Sequence, residues 1–220
     1  NNHMKKVIIA LLMVMATTAM NSQTKFSIEA GPQYSPNISW RIGGNADIPI
    51  SSRLSVVPGL YLSNRHRVTK EDYRYEKNGT LYTKSKESSF HANYITLPLR
   101  LGIRIGRLNA VNSKWQILVG PYIAYGTNAS GTMTEIENGI NTQTKYSPFE
   151  INGMVTSRWD YGFDSEIQYT YKNKIKLGAF MESGFKKLYQ SDNDLGKVAD
   201  ELFKINTVNI SAGIVVGYQF

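Results

Sequence analysis

Cysteine is absent from this chain of 220 residues. Its absence excludes a disulfide framework, cysteine metal sites, a thiol nucleophile and amino-terminal lipidation of the bacterial lipoprotein type. Histidine is scarce as well, with three residues in the chain, so candidates for acid–base chemistry are few. No segment is apolar over the ~20 residues that a membrane-spanning helix requires. The composition therefore disfavours thiol enzymes, cysteine-bound metal domains and helical membrane proteins.

The first residues have the pattern of a secretory signal peptide. Two lysines precede an apolar run over residues 7–20, and small and polar residues follow it. We expect residues 4–22 to be a leader that is cleaved near Ser22, and residues 23–220 to form one domain. Residues 1–3 precede the leader and are set aside. A membrane anchor is the alternative interpretation, but the run is shorter than a spanning helix.

The mature chain is basic: removal of the leader takes away two lysines, and 23 of the 25 lysines and arginines remain against 17 acidic residues. A basic protein can bind nucleic acid or anionic lipid. The cations here are scattered among strands and loops without a dense stripe. The sequence therefore predicts no nucleic-acid partner.

Alternation of apolar residues with polar or small ones is the dominant pattern of the chain. Successive strand side chains point to opposite faces, so each alternating run predicts a strand with one apolar face. Each run is at least as long as the ~9–11 residues that cross a bilayer as a tilted strand. The last run ends at an aromatic residue, Phe220, which favours a closing barrel strand over a frayed soluble terminus. The eight runs cover residues 26–34, 40–48, 54–62, 95–105, 115–126, 159–171, 174–185 and 206–220.

These runs predict an all-β fold, an eight-stranded antiparallel up-and-down transmembrane β-barrel. Prolines within four of the runs predict bulges or local breaks in the ladder. Outer-membrane barrels have short periplasmic turns and longer external loops. The termini are therefore expected on the periplasmic side. The connections predicted to be short are 47–53, 106–114 and 172–173, and those predicted to be long, polar and external are 68–89, 128–157 and 187–204.

Outward aromatic residues sort to the ends of the predicted strands, with aliphatic residues between them. Two aromatic belts around an aliphatic band are typical of proteins that span a membrane. A soluble lipocalin-like barrel, the alternative, would enclose this apolar face instead. The external belt is predicted to contain Tyr34, Trp40, Tyr125, Trp159, Tyr161 and Phe185, and the periplasmic belt Phe26, Trp115, Tyr169, Tyr171, Tyr218 and Phe220.

Four segments carry a family resemblance: Tyr94-Ile-Thr-Leu-Pro-Leu-Arg-Leu-Gly102, Gly120-Pro-Tyr-Ile-Ala-Tyr-Gly126, Asp160-Tyr-Gly-Phe-Asp164 and Val216-Gly-Tyr-Gln-Phe220. In this order they resemble the PorT-type outer-membrane β-barrel domain family of Bacteroidetes, over essentially the whole mature chain. The resemblance implies a Gram-negative outer-membrane location and an eight-stranded, porin-like barrel. The family's namesake is linked to type IX secretion, but the resemblance does not transfer that role, and it provides no set of functional residues.

Charged residues of both signs fall on the inward face of the predicted strands. An eight-stranded barrel has an interior that side chains just fill, and buried charges must be paired. We expect a salt-bridged plug; a narrow gated channel or a small-ligand site is the alternative. The predicted lumen charge network is Glu29, Arg41, Arg100, Arg104, Asp164, Glu166, Lys176 and Glu182, and the inward positions also include Asp47, Asp160 and Lys174.

Two histidines of the mature chain, His66 and His91, fall near the external ends of the third and fourth predicted strands and could be neighbours. A rim-active lipid A hydrolase would need a histidine beside a serine or an aspartate. No serine stands two positions after His91, so solvated rim residues are the simpler interpretation, and we predict no catalytic residues. Residues 191–196 resemble a calcium loop only faintly, because its terminal glutamate is missing. A short amphipathic helix after them is a further expectation.

The function indicated by the sequence is a structural or partner-binding role for a monomeric outer-membrane barrel that acts through its long external loops. The expected partners are outer-membrane lipid, lipopolysaccharide and other envelope proteins; no cofactor and no metal is expected. The basic residues of the 68–89 connection could contact lipopolysaccharide phosphates or could simply be solvated. The rim-active hydrolase and the narrow channel are the alternative functions.

Overall fold

The computed structural model describes residues 24–35, 37–77, 80–105, 113–137, 140–147, 149, 158–187 and 208–220. The predicted leader (residues 4–22), the calcium-like segment (191–196), the amphipathic helix after it and nearly all of the 187–204 connection lie outside these residues. Within these ranges lie nine strands: β1 Lys25–Tyr34, β2 Ile38–Pro49, β3 Leu54–Lys77, β4 Thr80–Ile105, β5 Ser113–Glu137, β6 Ile140–Tyr146, β7 Trp159–Tyr171, β8 Ile175–Lys187 and β9 Val208–Gln219. No helix in the described ranges has the length and hydropathy of a membrane span.

Eight of the strands close into a ring. All pairings are antiparallel, in the order β4-β3-β2-β1-β9-β8-β7-β5, and β5 pairs with β4 to complete the circuit. The short β6 pairs with β5 alone, outside the ring. First and last strands meet, with Ile28 opposite Tyr218 and the Phe220 amide donating to the Phe26 carbonyl at 2.8 Å. The predicted all-β, eight-stranded antiparallel barrel is confirmed.

Apolar side chains face outward and charged ones are enclosed. Leu99 and Ile167 are about half exposed on the outer surface, whereas their neighbours Arg100 and Glu166 are buried inside. Several of the largest fully buried side chains are charged or amide-bearing, as expected for a barrel whose outer surface lies in hydrocarbon and whose lumen is polar. The lipocalin-like alternative, with the apolar face inside, is wrong.

The two groups of outward aromatic residues lie at the two ends of the apolar part of the ring, although Tyr125 is in the middle of the long strand β5. At the end near the β1–β2 turn, the Tyr125 and Trp159 rings pack 4.8 Å apart between centroids. At the end that holds both described termini, Trp115 and Tyr169 pack at 5.0 Å. Such belts match the two interfaces of a bilayer.

The strands β3, β4 and β5 are much longer than predicted. They contain 24, 26 and 25 residues, whereas the other ring strands contain 10 to 13. The long polar loop predicted over 68–89 is therefore wrong, because residues 68–77 and 80–89 continue β3 and β4 as paired strands. Much of the 128–157 connection is likewise strand, as the end of β5 and all of β6. We call this part, residues 64–77, 80–93, 128–137 and 140–146, the extension sheet.

The prolines interrupt the ladder without shifting it. Pairs are missing beside Pro32 and Pro58, yet the register continues unchanged on either side. In the described strands, register shifts occur instead between Asn93 and Tyr94 and near the end of β8. One inward prediction is wrong: Lys174 is exposed, because it lies in the turn between β7 and β8.

Candidate functional site

The lumen holds a cluster of buried ionic side chains that we call the lumen network. It contains Asp160, which was predicted as inward but not as part of the network, and Arg65, which sequence reasoning did not place on the inward face. Every member comes from an inward position of a ring strand, so the pleat of the barrel places them together. The lumen network is Glu29, Arg41, Arg65, Arg100, Asp160, Asp164, Glu166, Lys176 and Glu182.

Arg100 is the centre of the network. Its Nη1 lies 2.7 Å from Glu166 Oε2 and 3.2 Å from Asp164 Oδ1, and its Nη2 donates to the Tyr61 hydroxyl at 2.7 Å. Tyr61 in turn donates to Glu29 Oε1 at 2.6 Å. A fully buried guanidinium therefore contacts two carboxylates and orients a phenol toward a third. The alternation of the 54–62 run places Tyr61 on the inward face, opposite Leu60 and Leu62, but does not identify it as a link between charges.

Arg41 is held between two aromatic rings. Its guanidinium carbon lies 3.8 Å from the Tyr61 ring centroid and 4.2 Å from that of Phe180. Its Nη1 also lies 3.3 Å from Asp164 Oδ2 and 3.1 Å from Glu182 Oε1. Weakly hydrated guanidinium suits this setting, since it stacks on rings while it pairs with carboxylates.

Arg65 lies at the base of the extension sheet, and its side chain points into the lumen. Its Nη1 lies 2.8 Å from Asp160 Oδ2, and its Nη2 lies 3.3 Å from Glu182 Oε2. Its guanidinium carbon lies 4.3 Å from the Tyr94 ring centroid. The Tyr122 hydroxyl donates to Asp160 at 2.8 Å. Arg65 was missed because it stands just beyond the last predicted apolar residue of β3, where the alternation no longer shows.

The two ends of the lumen are filled differently. At the end near the described termini, Asp47 forms ion pairs with two cations: Arg104 Nη2 lies 3.1 Å from its Oδ1, and Lys114 Nζ lies 3.4 Å from its Oδ2. Arg104, predicted as part of the network, belongs to this separate, half-buried cluster. At the opposite end Tyr94 and Tyr122 pack with two alanines, and Phe149 lies against them at 6.2 Å between the Tyr94 and Phe149 centroids.

Both predicted rim histidines lie together on the outer surface of the extension sheet. His66 and His91 are cross-strand partners whose rings stack at 3.9 Å, and His66 Nε2 lies 3.3 Å from Ser89 Oγ. Partial burial, and then the neighbouring imidazole, lower the pKa of His66 below its ordinary value. In the described part of the chain no carboxylate contacts either ring. These residues therefore form a histidine–serine contact without the acid of a catalytic triad.

The acidic side chains of the lumen face cations rather than a space for a metal ion. Arg100 and Lys176 lie against Glu166 and Glu29 and already supply the compensating charge. Among the described residues there is no group of three or more histidine, cysteine, aspartate or glutamate side chains arranged to hold a metal ion.

A family model, described as outer membrane protein beta-barrel domain, matches residues 18–190. The barrel is similar to three solved structures, each at low identity. The N-terminal β-barrel domain of Pseudomonas aeruginosa OprF is 12% identical (89% of this chain, 97% of that one, TM-score 0.36). Ail of Yersinia pestis, solved with the heparin analogue sucrose octasulfate, is 9% identical (90% and 99%, TM-score 0.37). A major outer membrane protein of Thermus thermophilus is 11% identical (90% and 99%, TM-score 0.46).

No match was found among curated proteins. The family model covers most of the chain, and the ring of strands, its apolar outer surface and its charged lumen agree with it. The chain belongs to the outer membrane protein β-barrel domain family.

Proposed function

We propose that this outer-membrane barrel is a rigid anchor that presents the extension sheet outside the membrane for binding a partner. The carrying observation is the length of β3, β4 and β5. Crossing a bilayer takes about 9–11 residues of a tilted strand. About 14 further residues of β3, from 64 to 77, continue at about 3.4 Å each, which adds roughly 45 Å of strand, measured along β3, beyond the outer aromatic belt.

The extension sheet is built as a surface rather than as a mobile loop. Its strands form a continuous antiparallel ladder in the order β3-β4-β5-β6, so each strand is hydrogen-bonded to at least one neighbour. Ion pairs such as Lys70–Glu87 at 2.9 Å and Lys84–Glu135 at 3.3 Å cross it. On the inward-facing side, the Tyr146 hydroxyl lies 2.6 Å from Ser88 Oγ. A preorganised sheet loses little entropy on binding, which favours a docking role.

The lumen network supports an anchor rather than a conduit. Its charges are paired across the ring from β1 to β8, so they tie distant strands together in the middle of the membrane. Ions would have to break these pairs to pass. We expect recordings of the native protein in planar bilayers to show no single-channel current steps. Conductance in these recordings would favour the narrow channel instead.

Several finer assignments belong to the same proposal. The leader over residues 4–22 directs export, the termini face the periplasm, and the extension sheet faces outward. Outer-leaflet lipopolysaccharide and other envelope proteins are the proposed partners, through residues 68–89, 128–157 and 187–204. Relation to the PorT-type branch in Bacteroidetes rests on the sequence resemblance alone.

Photo-crosslinking in intact cells tests the docking role. A crosslinking amino acid at Asp72 or Thr134 samples the sheet, and one at Ile167 samples the lipid-facing wall as a matched control. We expect a discrete protein adduct from the sheet positions that the wall position does not give. Lipid adducts alone from every position would contradict the proposal. Replacing residues 69–88 by a short turn should then remove the protein adduct and leave a folded, heat-modifiable barrel.

The rim-active lipid A hydrolase is a second candidate, and the His66–Ser89 contact of 3.3 Å is the observation that favours it. Hydrolysis of an acyl ester would need Ser89 as nucleophile and His66 as base. Lipopolysaccharide incubated with native protein is compared by mass spectrometry with material treated with His66→Ala, His91→Ala or Ser89→Ala. Loss of an acyl chain only with native protein would establish hydrolysis; unchanged masses would dismiss it.

A further inference from the structure

On the outer face of β3, β4 and β5, side chains in register across the three strands form rows, and successive rows change from apolar to polar. The last apolar row is Leu62, Ile95 and Tyr125, which β7 continues with Trp159. The next row along the strands is Asn64, Asn93 and Asn128, three amides in register on three strands. The row after that is His66, His91 and Ser130. We call these two rows, which contain six residues in all, the rim face.

The three amides are joined sideways. Asn64 Nδ2 donates to Asn93 Oδ1 at 2.7 Å, and Asn93 Nδ2 donates to Asn128 Oδ1 at 2.7 Å. Each amide nitrogen carries two hydrogens and each oxygen two lone pairs. One such bond per group therefore leaves each amide with further donors or acceptors for a ligand. Their orientation is fixed by the ladder, so a ligand meets a preorganised array.

The rim face carries no permanently charged side chain. Amides and a hydroxyl are neutral, and the lowered pKa of His66 keeps its ring neutral at neutral pH. On the described outer face of β3 and β4, permanent charges begin further out, at Lys70 and its partner Glu87, whereas beside the amide row Arg158 donates to the Thr127 carbonyl at 3.4 Å. A phosphate would select lysine and arginine here. Neutral donors and acceptors side by side suit vicinal sugar hydroxyls instead.

We infer that the rim face binds the sugar headgroup of an outer-leaflet glycolipid. Its position immediately beyond the aromatic belt is the level at which the headgroups of neighbouring lipids lie. The Tyr125 and Trp159 rings, 4.8 Å apart at its lower edge, provide apolar surfaces for the less polar face of a sugar ring. The amide row and the hydroxyl of Ser130 then supply the hydrogen bonds above. The inference rests on the outward orientation of the extension sheet in the proposed function.

Binding is measured by native mass spectrometry of the full-length protein in a zwitterionic detergent, which has no sugar headgroup to compete. The probes are a lipid A–core glycolipid, the same glycolipid after dephosphorylation, and phosphatidylglycerol. The test variant carries Asn64→Ala, Asn93→Ala and Asn128→Ala together. Gln143→Ala is the matched control, because it removes an exposed amide on β6 outside the rim face. Lys70→Ala reports on phosphate contacts.

We expect the two glycolipid forms to bind within about threefold of each other and phosphatidylglycerol to bind more weakly. The triple variant should lose at least about tenfold in affinity, equivalent to one step of about 1.4 kcal/mol, while Gln143→Ala and Lys70→Ala bind as the native protein. Native-like binding by the triple variant, or binding that disappears on dephosphorylation, would overturn the inference. If the triple variant fails to fold, Asn128→Ala alone should lose about threefold, and an unchanged affinity would again refute it.

The titration does not involve the protein partner of the extension sheet. Lost crosslinks with intact glycolipid binding would therefore count against the proposed docking role alone. Surface labelling of cells at Lys70 tests the orientation separately, since a periplasmic extension sheet would meet no glycolipid leaflet.

Discussion

Replacement of Arg100 by methionine should cost more than any surface change in this protein. Arg100 is fully buried and reaches Glu166 at 2.7 Å, Asp164 at 3.2 Å and the Tyr61 hydroxyl at 2.7 Å. Removing one member of a buried ion pair leaves an uncompensated charge, which typically destabilises by about 3–5 kcal/mol. Asp164 retains Arg41 at 3.3 Å, so the orphaned charge is mainly that of Glu166. We therefore expect a loss in unfolding free energy of about 3–4 kcal/mol.

Arg104→Met is the matched control, because it makes the same substitution four residues along the same strand. Its partner Asp47 keeps Lys114 at 3.4 Å, and the site is partly open to solvent. Such a pair is worth about 1 kcal/mol or less. A second variant combines Arg100→Met with Glu166→Gln, which removes the orphaned charge and should recover at least about half of the loss.

Urea or guanidinium titration in detergent micelles measures the unfolding free energy, with tryptophan emission and heat-modified gel mobility as two probes. The denaturant midpoint of Arg100→Met is expected to lie well below that of the control, Arg104→Met. Equal destabilisation by Arg100→Met and Arg104→Met would refute the reasoning, because it would mean that lumen water screens the charges as bulk solvent does. Failure of Glu166→Gln to restore stability would show that shape, rather than charge, causes the loss.

Three further outcomes follow from packing and titration. Gly31→Ala should destabilise the barrel by about 1–3 kcal/mol in the same assay, because a Cβ there would collide with the Ile214 carbonyl on β9; native stability would contradict this. Acidification should destabilise the extension sheet, because the pKa of His66 is lower in the folded protein than in the unfolded chain. The contribution of His66 to stability is therefore fully present above the ordinary histidine pKa near 6.5, and it is lost as the pH falls through the pKa of the folded protein. Amide hydrogen exchange of β3 should show this, and His66→Gln should weaken the dependence; an unchanged profile would contradict the assignment to His66. Arg41→Lys should cost about 1–2 kcal/mol, because an ammonium replaces a stacked guanidinium; a loss below about 0.5 kcal/mol would exclude stacking as important.

The membrane-spanning part of the fold could be predicted from sequence because two environments lie on opposite sides of each strand. Leu99 faces lipid and Arg100 faces the lumen, so the contrast between neighbours is large and repeats at every second position. The bounds of β7, predicted as 159–171, agree with the structure for this reason. The pleat alone also carries Glu29, Glu166 and Glu182 into the lumen.

The extension sheet could not be predicted in the same way. Beyond Leu62 both faces of β3 meet polar surroundings, so the alternation disappears although the hydrogen-bonded ladder continues. Residues 68–89 consequently have the sequence pattern of a loop. The same loss of contrast concealed Arg65, which lies one position beyond Asn64 and still points into the lumen.

Partners within the lumen were also beyond sequence reasoning. Which carboxylate meets which guanidinium depends on the register of each pair of strands, and register is a property of the closed ring. The sequence places Tyr61 inward, yet its bond to Glu29 requires β1 and β3 to lie on either side of β2 at one level. The His66–Ser89 contact is a diagonal across two strands and depends on register as well.

The meeting of β1 with β9 has a consequence for biogenesis. Partners such as Ile28 and Tyr218 are about 190 residues apart in the chain, so this contact is among the least local that the protein makes. Until β9 arrives, β1 has one unpaired edge that can recruit strands from other molecules. A periplasmic holding factor or an insertion machine that occupies that edge would protect the nascent protein from aggregation until the cylinder is complete.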